Sequence, residues 1–296
     1  RFPAANRPLA CAPADSFSAY QRHVDLVRLD WQPYFSSLAM PDAGLQLQAA
    51  ISQLRRGSPY WVSISIQPGE SLERQWRALV PGMEKPAAVS LDQLRIAVHH
   101  ALAAGSRGIY FRSSRRLDGS TAWQQQKCRQ LEQINLELRS LEPWIAGAGP
   151  PAAVTTDDPG VTAVSVQTSR AQLVWVFRRG PADQCVVAGV ADQAVSLALP
   201  GMPITYRPYL IDLSGTRQLR TSQGSARIRV VTRDPVTILV ITDDPLAIDY
   251  LKRTEYEVQH RWAVLTKLQA HSLFTQTRTV MNSLPLDKHQ RSLWEQ

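Results

Sequence analysis

Few side chains in this sequence have both the type and the neighbours for chemistry. Asp30 ends the apolar run Val24-Asp25-Leu26-Val27-Arg28-Leu29, and Trp31 follows it. A carboxylate beside an aromatic ring suits a network of sugar hydroxyls on a stacking platform. The same pair also reads as a loop-capping Asp beside a partly buried Trp. Arg112, Arg115 and Arg116 follow a second apolar run, near Ser113, Ser114 and Asp118. Three guanidinium groups could hold a sulfate, phosphate or carboxylate on an anionic glycan, or they could pair with Asp118 in a solvated loop. His99-His100 has the residue type for catalysis or metal binding, but the pair falls in an amphipathic helix expected to cover a sheet from outside. A satisfied or exposed histidine is the plainer reading there. Cys11, Cys128 and Cys185 lie far apart with no histidine at metal spacing, so they read as buried thiols, and no metal or cofactor is expected.

The elements that must position these residues alternate in the first half of the chain. Apolar runs at 24–29, 60–66 and 107–111 read as strands, and amphipathic stretches between them read as helices, the grammar of β/α units on a parallel sheet. One helix runs through Leu45, Leu47, Ala50, Ile51 and Leu54 to a stop at Gly57. Another spans Leu72 to Leu79. A third begins after Ser90, an N-cap with Gln93 three residues on, carries Leu91, Leu94, Val98, Ala101 and Leu102 on one stripe, and closes at Gly105. Trp61, at the start of its strand, reads as core. A long helix from about Ser120 is expected to turn Cys128, Leu131, Ile134, Leu138 and Leu141 inward.

Gly147, Gly149, Pro150 and Pro151 make a boundary, and the pattern beyond them changes. Short β-rich runs at 161–166, 173–177, 185–190, 195–199, 204–211, 226–231 and 236–241 predict an antiparallel β-sandwich. Asp243-Asp244-Pro245 then caps a long terminal helix carried by Ala247, Leu251, Val258, Trp262, Leu265 and Leu268. The expected division is 1–146, 153–243 and 244–296. The second segment carries Arg207, Arg217, Arg220, Arg227, Arg229 and Arg233 against Asp212 and Asp234. Alternation such as Arg227-Ile228-Arg229-Val230 is that of any half-buried strand, so nucleic acid is not an expected partner.

The chain has 296 residues, 44% hydrophobic and 20% charged, with a net charge of +8. That composition excludes disordered, collagenous and coiled-coil classes. No apolar run approaches the ~18 residues of a membrane span. The first residues, Arg-Phe-Pro-Ala-Ala-Asn, carry neither an initiator Met nor a signal pattern, and three β/α strands are fewer than the about eight that close a barrel. The expectation is therefore a chain that starts inside a larger domain.

Leu91-Asp92-Gln93-Leu94-Arg95 through Ala103-Ala104-Gly105-Ser106-Arg107-Gly108-Ile109-Tyr110-Phe111-Arg112 resembles the last β/α unit of glycoside-hydrolase TIM barrels of clan A, the β-galactosidase-like group. Asn135-Leu136-Glu137-Leu138 with Glu142-Pro143-Trp144 is similar to the closing helix of uncharacterised bacterial barrel proteins. The resemblance covers about residues 20–150. It implies the carboxyl-terminal β/α units of a TIM-type barrel followed by an antiparallel β-sandwich and a long terminal helix, with ligand loops at the carboxyl ends of the strands. Retaining members need two carboxyl groups about 5 to 5.5 Å apart. On that alignment the seventh strand ends at Ile66-Gln67, where the usual Glu is absent, and Glu70 becomes the candidate nucleophile, with a helix-starting Glu as the alternative. The implied function is carbohydrate binding or hydrolysis, with Asp30, Trp31, Gln67, Glu70 and Arg112 at the rim. The alternative is a non-catalytic surface or periplasmic binding or scaffold protein. A secreted or periplasmic location is favoured.

Overall fold

The protein is described by a computed structural model over residues 8–34, 38–55, 57–79, 88–178, 193–199, 203, 205–212, 215–220, 227–232 and 234–283. The first part runs β1 (Ala10–Cys11), α1 (Phe17–Tyr20), β2 (Leu26–Trp31), α2 (Met40–Ser52), β3 (Tyr60–Ser65), α3 (Glu70–Leu79), α4 (Leu91–Ala103), β4 (Ile109–Arg112) and α5 (Ala122–Ala146). Its strands form one parallel sheet in the order β1-β2-β3-β4. The short β1, whose Ala10 pairs with Leu26, adds a fourth strand to the three expected. Two residues with no alternation give no periodic signal to read.

Parallel strands kept in sequence order step in one direction, and right-handed crossovers then put the connecting helices on one face. Val27, Leu29, Val62, Ile64 and Ile66 accordingly share a core with Met40, Ala43 and Leu47 of α2 and Leu94, Val98 and Ala101 of α4. The start of α4 is the expected capping box: Gln93 N donates to Ser90 Oγ (3.1 Å) and Ser90 N to Gln93 Oε1 (2.8 Å). Its end falls at Gly105, whose φ of +101° only glycine adopts without strain. By contrast α3 buries no residue.

The second part comprises β5 (Ala152–Thr156), β6 (Val161–Gln167), β7 (Gln172–Arg178), β8 (Gln193–Ala198), β9 (Arg207–Asp212), β10 (Gly215–Gln218), β11 (Arg227–Thr232), β12 (Val236–Thr242) and α6 (Pro245–Ser283). The strands are antiparallel, but a single curled sheet, ordered β10-β9-β12-β7-β6-β5-β8-β11, stands where a two-sheet sandwich was expected. β5 makes the bend, because Ala152 to Val154 pair with β6 while Thr155 and Thr156 pair with β8. Inside the curl, Val174, Val176, Leu239, Ile241, Val195, Leu197, Ile228 and Val230 form a second core. Outside it, Leu173, Trp175, Phe177, Ile238 and Val240 join the core that holds α4. Burial on both faces is why β12 reads as an unbroken apolar run rather than an alternation. The run expected at 185–190, with Cys185, lies outside the described residues.

α4 is thus packed between two sheets, with α5 against α4, α6 and β6, and this overturns several expectations. Cys128 is exposed and Cys11 is half-buried, so these two are not buried thiols. The inward face of α5 carries Lys127, Gln130, Gln133, Ile134, Glu137 and Leu141. Apolar periodicity found only part of it, because polar residues buried against polar partners leave no hydrophobic stripe. Trp61 is 46% exposed rather than core, since its register partner on β2 is Arg28, on the sheet face opposite the one that packs against α2 and α4. α6 runs antiparallel to α5 through Arg139 to Glu257 (2.8 Å) and Arg261 to Glu132 (2.6 Å). Leu251, Trp262 and Leu265 are buried as expected, while Leu268 is 37% exposed. Among the described residues no helix is long and apolar enough to cross a membrane.

Candidate functional site

Register puts Arg28, Asp30, Trp61, Ser63, Ser65, Tyr110 and Arg112 on the sheet face opposite the helices: Arg28 pairs with Trp61, Asp30 with Ser63, Ser63 with Tyr110 and Ser65 with Arg112. Parallel sheets are ordinarily covered on both faces. Here this second face leaves Trp61 and Tyr110 exposed at 46% and 43%. Asp30 organises its polar groups. Arg28 Nε donates to Asp30 Oδ1 (3.1 Å), and Arg112 Nη1 reaches across β3 to donate to Oδ2 (2.9 Å). The Arg28 guanidinium also lies 5.2 Å from the Tyr110 ring centroid. Beneath this lattice Ser63 is fully buried, and its hydroxyl has no hydrogen-bond partner among the described residues.

The carboxyl ends of the strands continue the site. The Gln67 amide is committed on both sides, its Nε2 donating to Ser114 and its Oε1 accepting from Ser113 Oγ (3.2 Å). Arg115 lies 3.6 Å from Glu73 and stacks over Trp123. Arg116 Nε donates to Asp118 (3.1 Å), and that bond holds the Asp118 carboxyl below its ordinary range. Each guanidinium of the expected anion cluster is therefore already paired with a carboxylate. Glu70 opens α3 as an exposed residue in its first turn, where its charge faces the positive end of the helix. Tyr34, just beyond β2, is buried with its hydroxyl unpartnered, and burial pushes its pKa well up.

The structure brings Asp30 and Arg112 together and sets Gln67 against the loop after β4. It does not bring Trp31 to them: Trp31 points to the helix-covered side, 8% exposed, and belongs to the core. Reasoning from sequence missed Arg28, Ser63 and Tyr110. Their signal was present in the strict alternation Arg28-Leu29-Asp30 and Trp61-Val62-Ser63-Ile64-Ser65, which marks a strand with one wet face.

A second polar cluster lies buried between the two sheets. Arg95 of α4 clasps Glu137 of α5 through three contacts of 2.9, 2.9 and 2.7 Å. His99 Nε2 is 3.2 Å from Glu137 Oε2, off the line of a hydrogen bond, and its Nδ1 accepts from Trp175 Nε1 at 3.2 Å. With Nδ1 accepting, the neutral ring carries its proton on Nε2, facing the carboxylate. Burial alone would raise the Glu137 pKa, but Arg95 and His99 hold it well below the carboxylate range. The neighbouring His100 stacks on Phe177 with centroids 3.9 Å apart. Burial, with a smaller contribution from the adjacent His99, pushes its pKa down to about 3. Both histidines are buried, because the curled sheet covers the helix that was expected to lie outermost; His99 is held by Trp175, while His100 is held by stacking alone. Lys127 is also buried. Its Nζ bonds Val89 O and Gln130 Oε1, and burial lowers its pKa to about 8. Among the described residues no group of three or more His, Cys, Asp or Glu could hold a metal ion.

No protein-family model matches the chain, and no curated protein matches it. Several solved glycoside-hydrolase structures do. A Thermotoga maritima α-fucosidase in complex with fucose aligns at a TM-score of 0.42 and 11% identity, over 74% of this chain and 43% of that one. A maltogenic α-amylase from Thermotoga neapolitana aligns at 0.40 and 8% identity, over 79% and 52%. A GH30 endoxylanase from Clostridium papyrosolvens aligns at 0.34 and 8%, over 78% and 72%. The chain thus spans about half or less of the length of the fucosidase and the amylase.

Proposed function

We propose that the uncovered face of the parallel sheet is a carbohydrate-binding surface in a glycoside-hydrolase-like architecture, centred on Asp30 and Arg112. The observation that carries this reading is the lattice of Arg28, Asp30 and Arg112 by the Ser63 hydroxyl, unpartnered among the described residues, on the same face as the exposed rings of Trp61 and Tyr110. Sugar rings present hydroxyl edges and apolar C–H faces, and this surface offers fixed charged acceptors and donors for the first and aromatic faces for the second. The pairing of Arg112, Arg115 and Arg116 with Asp30, Glu73 and Asp118 favours a neutral sugar, since an anionic one would have to displace a carboxylate. The one-sided winding of β1 to β4 supports a segment of a TIM-type barrel, whose interior wall this face would be.

Binding without turnover is the reading we favour. Hydrolysis needs a second carboxyl group beside a nucleophile, whereas both Asp30 oxygens accept from arginines and the Gln67 amide is engaged with Ser113 and Ser114. Glu70 is the carboxylate left for catalysis. Titrating neutral oligosaccharides while following tryptophan fluorescence tests the proposal. Saturable binding that Asp30→Asn and Tyr110→Ala each weaken about tenfold supports it, on the scale of a charge-assisted hydrogen bond or a stacked ring. Absence of binding, or binding indifferent to both changes, overturns it. Release of reducing ends that Glu70→Gln abolishes would replace binding with hydrolysis.

A further inference from the structure

At the amino ends of the same strands, far from Asp30, a groove of about 690 Å³ runs between α2, the end of α4 and the β5–β6 pair. Its size is that of small-molecule sites. Pro41, Leu45, Ile51, Pro151, Val164 and Phe177 supply apolar wall. Polar side chains interrupt that wall: Gln48, Ser52 and Thr162, together with the Tyr60 hydroxyl, the His100 ring and the Arg107 guanidinium. Among the described residues no Asp or Glu lines the groove.

Arg107 is fixed by carbonyl oxygens alone. Its Nη1 donates to Gly105 O (3.2 Å), and its Nη2 donates to Ala148 O (3.0 Å) and Gly149 O (2.8 Å). Among the described residues no carboxylate neutralises it. Burial lowers its pKa, and the only charge influence that offsets this is the Tyr60 hydroxyl. That hydroxyl makes no hydrogen bond among the described residues. His100 is 8% exposed and stacked on Phe177, and its ring nitrogens likewise have no hydrogen-bond partner there. An exposed guanidinium with no carboxylate partner among the described residues, beside two polar side chains that make no hydrogen bond there and a long apolar wall, is complementary to an anionic head carrying a hydrocarbon tail. We propose that this groove binds an amphipathic carboxylate, with the anionic head on Arg107 and Tyr60 and the hydrocarbon tail along Leu45, Ile51 and Phe177. The N–H of the neutral His100 ring is a further donor along the same wall.

The test is calorimetric titration of the full chain with decanoate and with decanol, which share a tail and differ in the charge of the head. The expected result is that decanoate binds about tenfold tighter than decanol, the worth of one charge-assisted contact. Arg107→Gln should erase that preference while leaving decanol affinity unchanged, which also shows that the variant is folded. Equal affinity of the unaltered protein for the two ligands overturns the proposal, as does failure of both to bind or a preference for decanoate that survives Arg107→Gln. Should Arg107→Gln lose decanol binding too, the contrast between the two ligands on the unaltered protein decides.

Discussion

The buried Arg95–Glu137 cluster and the exposed Arg112–Asp30 cluster are built from the same two functional groups in opposite surroundings. Arg95 and Glu137 are 7% and 6% exposed at their side chains, with His99 3.2 Å from Glu137 and Asp234 3.9 Å from Arg95. Arg112 and Asp30 are 39% and 36% exposed, with Tyr110 and Trp61 on the same sheet face and the Ser63 hydroxyl, unpartnered among the described residues, next to Asp30 in register. The first arrangement has its charges spent on one another and joins helices packed against the curled sheet. The second has open space over it and contributes little to folding. An arginine–carboxylate pair is thus a joint or a binding surface according to what covers it, and the pair itself does not say which.

The comparison breaks most visibly if the buried cluster is not the joint. Glu137→Ala leaves the buried Arg95 charged with only the longer contact to Asp234 (3.9 Å) and should cost about 3 kcal/mol in urea unfolding. Replacing both partners, Arg95→Met with Glu137→Leu, should recover most of that loss, because two desolvated charges are removed together. Acid titration is the next largest effect. The folded-state pKa of His100 is depressed to about 3, so the unfolded chain binds more protons below its ordinary pKa of about 6.5. Stability is therefore full above pH ~6.5 and falls as pH drops towards ~3, by on the order of 3 kcal/mol between pH 7 and pH 4. The depressed Glu137 pKa has the same sign and adds loss at lower pH, through the carboxylate range. His100→Phe should flatten the upper part of that slope, and a slope unchanged by the substitution would contradict the burial argument.

Trp175→Phe keeps the packing but leaves His99 Nδ1 without its donor, and chemical denaturation should register a loss of about 1 to 3 kcal/mol. The smallest effect on stability is expected at the exposed cluster. Asp30→Asn should change unfolding by less than about 1 kcal/mol, as for surface ion pairs, while weakening sugar binding about tenfold. A large stability loss there would make the two clusters alike and remove the ground for calling one a site.

The β/α grammar before the boundary and the capping box at Ser90 were legible because they depend on neighbours three or four residues apart. The shared environment of Asp30 and Arg112 was legible only in outline, since both follow apolar runs and so fall at strand ends. Their direct bond was not, as they are 82 residues apart. The buried face of α5 was misread for a related reason: Lys127, Gln130 and Glu137 look like a solvated stripe until the partners that satisfy them are known. Trp61 was misread because an aromatic residue inside a strand pattern does not reveal which face is covered.

By itself the sequence determined the local elements, through side-chain periodicity, capping residues and the Gly and Pro breaks, all of which act over a turn or a strand. Only the tertiary structure decided that the antiparallel sheet curls at β5, that α4 is buried on both sides, and that one face of the parallel sheet is left open. These outcomes depend on which surfaces meet, and burial, charge neutralisation and pKa follow from that meeting rather than from the residues alone.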